Sequence, residues 1–254
     1  MPEMGTYTTR LPSGKVVTDP RIVRRRRNRI MLALGVGALL LCGGSLVGWF
    51  TLRPEPPSTF ASPVAVTSDG GDRAGIAVAG EGPVLVEFYL DLACPNCSTV
   101  HNAIASTADD LVAAGRIRLV WHPIGTPEPV LLPGQQAPQE VRPPIPAYNT
   151  RAANAMACAA DAGKLREFTR TLYANQPADL ATGMSDDRLI EIAGPVGLNA
   201  PAFARCVRDL SYRDWVANVT AQATQRGVGG APAVFVNGMP LTDLSPGALR
   251  AAVG

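Results

Sequence analysis

The chain has 254 residues, 46% of them hydrophobic and 17% charged, and a formal net charge of +2. That near-neutral total hides an asymmetry: residues 1–53 carry nine Arg/Lys against two acids, whereas residues 54–254 carry fourteen against nineteen. A mildly acidic globular part argues against a nucleic-acid role, and the length leaves room for one domain of about 180 residues rather than two of ordinary size.

Residues 1–29 read as a basic tail without apolar periodicity, ending in Arg21, Arg24 to Arg27 and Arg29. Residues 30–52 carry no charge. At about 1.5 Å per residue they are long enough to cross a hydrocarbon core of about 30 Å. The arginines ahead of that run keep the tail cytoplasmic, so the expectation is a single-pass cell-membrane protein whose C-terminal part is extracytoplasmic. It would meet the lipid bilayer through residues 30–52. A cleaved signal peptide is the alternative, but the length of the run and Trp49-Phe50 at its outer end favour an anchor. Arg26-Arg27 matches a twin-arginine export signal poorly, and Leu41 before Cys42 is too large for a typical lipoprotein cleavage site. Residues 53–73, rich in Pro and Ser, read as a linker.

The globular part, residues 74–254, opens with a short strand near Ile76 to Ala79 and then an apolar strand, Pro83 to Leu92, with both faces expected to be covered. Glu87 interrupts that strand. A carboxylate there is costly, so it is either a proton acceptor for a buried thiol or an ion-paired acid; Asp91 competes for the first role. Cys94-Pro95-Asn96-Cys97 stands where the strand gives way to a helix. One thiol would sit at the helix N-terminus, where free N–H groups and the macrodipole favour a thiolate, with the other one turn inward. The same spacing also serves as half of a zinc site.

A helix over Ser98 to Ala114 and a strand over Arg116 to Trp121 complete a strand–helix–strand unit. His101 reads as a surface or helix-capping residue, with a copper or zinc site of Cys94, Cys97 and His101 as a minor alternative. His122 reads as structural. Pro123 to Pro146 is dense in proline and aperiodic, the mark of a mobile insertion or a partner contact. Helices follow over Tyr148 to Tyr173, Ser185 to Ile192 with Ser185 as the N-cap, Pro201 to Val207, and Tyr212 to Arg226.

Of the five cysteines, Cys42 lies in the apolar run. The other four divide into the C-x-x-C couple and a long-range couple, Cys158 and Cys206, which is either a disulfide or two free buried thiols. Two disulfides would place the domain in an oxidising compartment. Gly227 to Pro232 leads into a strand over Ala233 to Val236, the hairpin signal Asn237-Gly238, a strand over Met239 to Thr242, and a helix from about Ser245. Pro240 fits an edge strand, and Pro232 at the mouth of a buried strand fits a terminal or cis position.

Glu87-Phe88 through Asp91-Leu92-Ala93-Cys94-Pro95-Asn96-Cys97, taken with Gly227 through Gly238, resembles the DsbA family of thioredoxin-fold disulfide oxidoreductases in its membrane-anchored bacterial form. The resemblance runs from about Ile76 to the C-terminus. It implies an α/β thioredoxin fold with a helical insertion over about 148–211, preceded by one N-terminal transmembrane helix. It implies that Cys94 is the attacking cysteine, Cys97 the resolving one, and Pro232 a cis-proline against the disulfide, with Ala231 pairing to substrate backbone.

Glu87, Asp91, Pro95 and Asn96 would support that centre, and Cys158 and Cys206 resemble a structural disulfide of some members. No cofactor or metal is implied. The implied partners are exported proteins bearing thiols and a quinone-linked membrane oxidase. The alternatives are a reductase or isomerase of the same fold, and a non-catalytic thioredoxin-like binding or metal-carrying module. Two departures stand out. Pro95-Asn96 replaces the Pro-His of the best-known member, which implies a less acidic Cys94 and a weaker oxidant. Ala231 stands where many members carry Thr or Val.

Overall fold

Strand Val84–Leu90 (β3) lies at the middle of the sheet because both its faces are apolar, and it is buried along almost its whole length. This computed structural model describes residues 60–67, 75–131, 134–136, 138–140 and 142–254. The tail 1–29, the expected anchor 30–52 and most of the linker 53–73 lie outside the described residues. Among the described residues, no helix is long and apolar enough to cross a membrane.

The described strands are β1 (Val66–Thr67), β2 (Gly75–Ala79), β3, β4 (Ile117–Pro123), β5 (Ala233–Val236) and β6 (Met239–Pro240), in the sheet order β1-β2-β4-β3-β5-β6. β3 runs parallel to β4, with Phe88 opposite Trp121, and antiparallel to β5, with Tyr89 opposite Ala233. The parallel pair needs a crossover, which helix α1 (Cys97–Ala113) supplies. Strand alternation sends Phe88, Leu119 and Trp121 toward α1, where they meet His101 and Ala108. Glu87, Tyr89 and His122 therefore project from the opposite face.

Between β4 and β5 the chain forms α2 (Tyr148–Asp161), α3 (Leu165–Ala174), α4 (Asp186–Ala193), α5 (Pro201–Arg208) and α6 (Arg213–Gln225); α7 (Pro246–Val253) closes the fold beside α1. The single helix expected over Tyr148 to Tyr173 is two. Gly163, at φ +66°, ends α2: its N–H donates to Ala160 O and the Lys164 N–H to Ala159 O, the paired bonds of a Schellman cap. Ser185 caps α4 as its sequence suggests, accepting the Arg188 N–H.

Asn237 and Gly238 turn the hairpin with positive φ, at 48° and 79°, while Asn237 Oδ1 accepts the Leu85 N–H. The last strand is shorter than expected, ending at Pro240, which cannot donate to a further partner.

The proline-rich segment after β4 is tied down where it is described. Glu128, with its side chain 3% exposed, pairs with Arg213 at 2.8 Å, and Arg142 pairs with Asp214 at 2.6 Å. Arg213 also donates to Pro143 O. A charge cluster buried to this degree holds its place only if every member is paired, so this part of the segment is fixed against α6 rather than a free insertion.

Cys158 in α2 and Cys206 in α5 form a disulfide with a Cα separation of 6.0 Å, bridging 48 residues. Closing a loop of that length contributes about 4 kcal/mol in the chain-entropy description. The double substitution Cys158→Ser/Cys206→Ser is expected to lower unfolding free energy by about 2–4 kcal/mol in denaturant titrations, with the Cys94–Cys97 couple still forming.

Candidate active site

β3 ends at Leu90, and the next residues build the turn that presents the dithiol. Asp91 Oδ1 accepts the Ala93 N–H at 2.8 Å, its carbonyl accepts the Cys94 N–H at 3.3 Å, and the Cys94 carbonyl accepts the Cys97 N–H at 3.3 Å. Cys97 is the first residue of α1. Cys94 and Cys97 are joined in a disulfide, Cα to Cα 5.3 Å. The two sulfurs are not equivalent. Cys97 is fully buried, Cys94 is half-buried, and Pro95 and Asn96 between them are exposed. α1 carries no acid in its first turn, so nothing there opposes negative charge at its N-terminus.

The Ala231–Pro232 peptide bond is cis. It brings the Ala231 carbonyl oxygen to 3.3 Å from Cys94 Sγ, across 137 residues of sequence. As a disulfide sulfur, Cys94 has no proton to donate; in the dithiol the same geometry suits a thiol donating to that oxygen. A carbonyl oxygen facing the sulfur also disfavours a thiolate there, opposing the helix terminus.

The helical segment supplies contacts that sequence reasoning missed. Gln176, just beyond α3, donates its side-chain amide to Leu92 O at 2.9 Å and Cys94 O at 3.0 Å. Asn149, near the start of α2, reaches Asp91 Oδ2 at 3.5 Å. Nothing local in the sequence marks either residue, because both act across the fold. Burial pushes the Asp91 carboxyl above its ordinary value, against the Ala93 N–H and Asn149 amide that favour its charged form. Asp91 thus braces the turn that carries the dithiol.

Glu87 is elsewhere. It is fully buried on the far face of the sheet, where Arg226 donates to both its oxygens at 2.7 and 2.8 Å. His122 Nε2 lies 3.2 Å from Oε1, close enough for attraction but not aligned as a hydrogen bond. Burial pushes the Glu87 carboxyl up, yet His122 and Arg226 together outweigh it and hold the pKa below the usual value. Of the two expectations for Glu87, the ion-paired acid is the one realised; a proton acceptor for Cys97 is not, because alternation along β3 turns the carboxylate away from α1.

His101 is neither a surface residue nor a cap. It is 3% exposed, packed between Trp121 and Tyr173 at ring separations of 5.3 and 5.1 Å, and its Nδ1 has no protein partner. Held there, it does not converge with the two sulfurs on an open site, and among the described residues no three His, Cys, Asp or Glu groups gather as metal ligands.

A thioredoxin-like sheet with a dithiol at the first turn of α1 and a cis-proline against it defines a DsbA-like thiol-disulfide oxidoreductase. The chain belongs to the thioredoxin family: the family model Thioredoxin_4, described as Thioredoxin, matches residues 79–254. Among solved structures it is similar to oxidised DsbA of Mycobacterium tuberculosis, at 27% identity and TM-score 0.52 over 67% of this chain and 81% of that one. It is also similar to the reduced disulfide oxidoreductase DsbG of the same organism, at 25% identity and TM-score 0.53 over 71% and 84%. The thiol-disulfide oxidoreductase MdbA of Corynebacterium diphtheriae, at 14% identity and TM-score 0.56 over 80% and 98%, shares the fold. No curated protein matches the chain in sequence.

His101 gives the domain a defined pH response. Burial, helped by the charges of Arg170 and Arg166, pushes its pKa down to about 4 from 6.5. Below pH 6.5 the unfolded chain binds a proton there that the folded chain refuses until about pH 4. The stability present above pH 6.5 is therefore lost as pH falls through that window, by roughly 3 kcal/mol from this group. His101→Phe is expected to flatten the fall in unfolding midpoint between pH 7 and pH 4 relative to the parent protein; equal slopes would contradict the assignment.

Proposed function

We propose that the protein introduces disulfides into exported proteins through the Cys94–Cys97 couple. The observation that carries this reading is the asymmetry of the pair: Cys94 is half-exposed at the start of α1 beside the cis Ala231–Pro232 bond, while Cys97 is fully buried. A substrate thiolate can reach Cys94 alone. Its attack on Cys94 Sγ forms a mixed disulfide and breaks the Cys94–Cys97 bond, with Cys97 leaving as a thiolate that takes a proton. Asp91, in the turn that carries the pair and with its carboxyl pushed up by burial, would hold that proton.

A second substrate thiolate then attacks the substrate sulfur of the mixed disulfide and expels Cys94 as a thiolate, the leaving group that the α1 N-terminus favours. The substrate loses two electrons and the couple gains them. Pro232 would shape the groove beside Cys94, and Ala231 would pair with substrate backbone. Pro95 and Asn96, exposed between the sulfurs, would meet the substrate first.

Two disulfides in one domain support an oxidising compartment. With the charge-free run at residues 30–52 and the arginines before it, they support a domain held outside the cytoplasm by an N-terminal anchor, the tail 1–29 remaining inside. A quinone-linked membrane oxidase would restore the disulfide. The second reading, a reductase or isomerase, draws support from two features that weaken a Cys94 thiolate: Asn96 in place of a histidine, and the Ala231 carbonyl 3.3 Å from the sulfur.

Trapping tests the assignment of roles. The Cys97→Ser protein, loaded with a disulfide-bearing or activated-thiol peptide, is expected to accumulate a mixed disulfide at Cys94, seen as a mass increase equal to the peptide. Cys94→Ser should form far less, since Cys97 is enclosed. Equal adducts on both variants, or none on Cys97→Ser, would overturn it.

A further inference from the structure

The loop carrying the cis-proline has few contacts of its own: Val228 and Ala231 pack against the core, and the Ala231 carbonyl oxygen meets Cys94 Sγ. Gly227, Gly229 and Gly230 are three of its six residues, and the other side chains are Val228, Ala231 and Pro232. The backbone bonds that end α6 finish with the Val228 N–H on Ala223 O, and pairing resumes only at Ala233 in β5. Glycines of this kind leave a chain free to sample many conformations, and ordering them costs entropy. The cap bonds and Val228 hold its first two residues, and the residue before the loop adds a further anchor.

Arg226, the last residue before the loop and the C-cap of α6, is that anchor. Its guanidinium makes a two-pronged ion pair with fully buried Glu87, donates to Tyr89 Oη at 2.9 Å, and lies 4.9 Å from the centre of the Phe235 ring. Glu87 and Tyr89 belong to β3, the strand that leads into the Cys94 turn, and Phe235 belongs to β5, into which the loop feeds. A planar guanidinium bound at both prongs has one orientation, which a lysine ammonium could not reproduce. The pair therefore ties the loop's starting point to the same strand that places Cys94.

We propose that Glu87 and Arg226 are positioning residues that hold the cis-proline loop ready to receive an extended polypeptide, and so set a preference for polypeptide thiols over small dithiols. The inference rests on the oxidoreductase reading above. A peptide must align its backbone with Ala231 as its sulfur meets Cys94, so it loses rate when the loop is unfixed; a small dithiol needs only the sulfur. The pair touches neither sulfur.

The test uses the full-length oxidised protein and compares second-order rates of reduction of Cys94–Cys97 by two probes, a ten-residue peptide bearing two thiols and dithiothreitol. Glu87→Leu/Arg226→Met replaces the ion pair with an apolar pair, at the cost of the contacts that His122 and Tyr89 Oη make with it. Its peptide-to-dithiothreitol rate ratio is expected to fall about tenfold, as loss of a pre-ordered binding loop would give. Arg226→Lys, which keeps the charge but not the fork, should lower the ratio by about threefold.

A ratio within about twofold of the parent protein in the double variant overturns the proposal, as does an equal loss with both probes, which would mark a merely structural role. Should the double variant not fold, an unchanged ratio in Arg226→Lys overturns it instead. If the parent protein reacts with neither probe, the oxidoreductase reading itself fails and this inference falls with it.

Discussion

Antiparallel pairing of β3 with β5 is the constraint on which the site depends. β3 delivers the turn containing Cys94, β5 follows the cis-proline loop, and the register that sets Tyr89 opposite Ala233 brings the two loops to one end of the sheet. Two segments 137 residues apart then contribute neighbouring atoms, Cys94 Sγ and the Ala231 carbonyl oxygen. Because side chains alternate along a strand, a slip of one residue would turn Phe88 away from α1 and bury Glu87 against it. The Glu87–Arg226 pair and the packing of Phe88 beneath α1 both depend on this register.

The helices between β4 and β5 are a working part of the site. Gln176 holds the carbonyls of Leu92 and Cys94, and Asn149 approaches Asp91, so the turn carrying the dithiol is braced from the helical side. The Cys158–Cys206 disulfide ties α2 to α5 within the same unit, and Glu128 with Arg142, Arg213 and Asp214 fixes the proline-rich segment against α6. The balance at Cys94 is one of opposed fields: the helix N-terminus favours a thiolate and the Ala231 carbonyl opposes it, without the histidine that would add to the first. That balance sets how strongly the couple oxidises.

Much of this was legible in the residues. Strand and helix positions follow from apolar periodicity, Ser185 from its capping chemistry and the hairpin from Asn237-Gly238; the poor fit of proline to a buried strand leaves Pro232 terminal or cis, and the family resemblance implies the cis bond that is found. The break at Gly163 is hidden in the sequence because helix-forming residues flank it on both sides, and a glycine within an otherwise helical pattern is ambiguous until the cap bonds are seen. For Glu87 the sequence leaves both roles open, and strand alternation with a partner 139 residues away decides its place. His101 reads as a surface or capping residue because a histidine two residues from Thr99 and next to Asn102 gives no sign of the Trp121 and Tyr173 rings that enclose it. Gln176 and Arg226 carry no local signal, since their partners come from distant strands and turns.

The most direct measurement is the equilibrium redox potential of the Cys94–Cys97 couple in the full-length protein, titrated in glutathione buffers and read by thiol trapping, with Cys94→Ser as control. A disulfide donor with a moderately stabilised thiolate should lie between about −120 and about −200 mV. A value near about −270 mV or lower would contradict that and point to a reductase, and the absence of any reversible couple would remove disulfide exchange as its function.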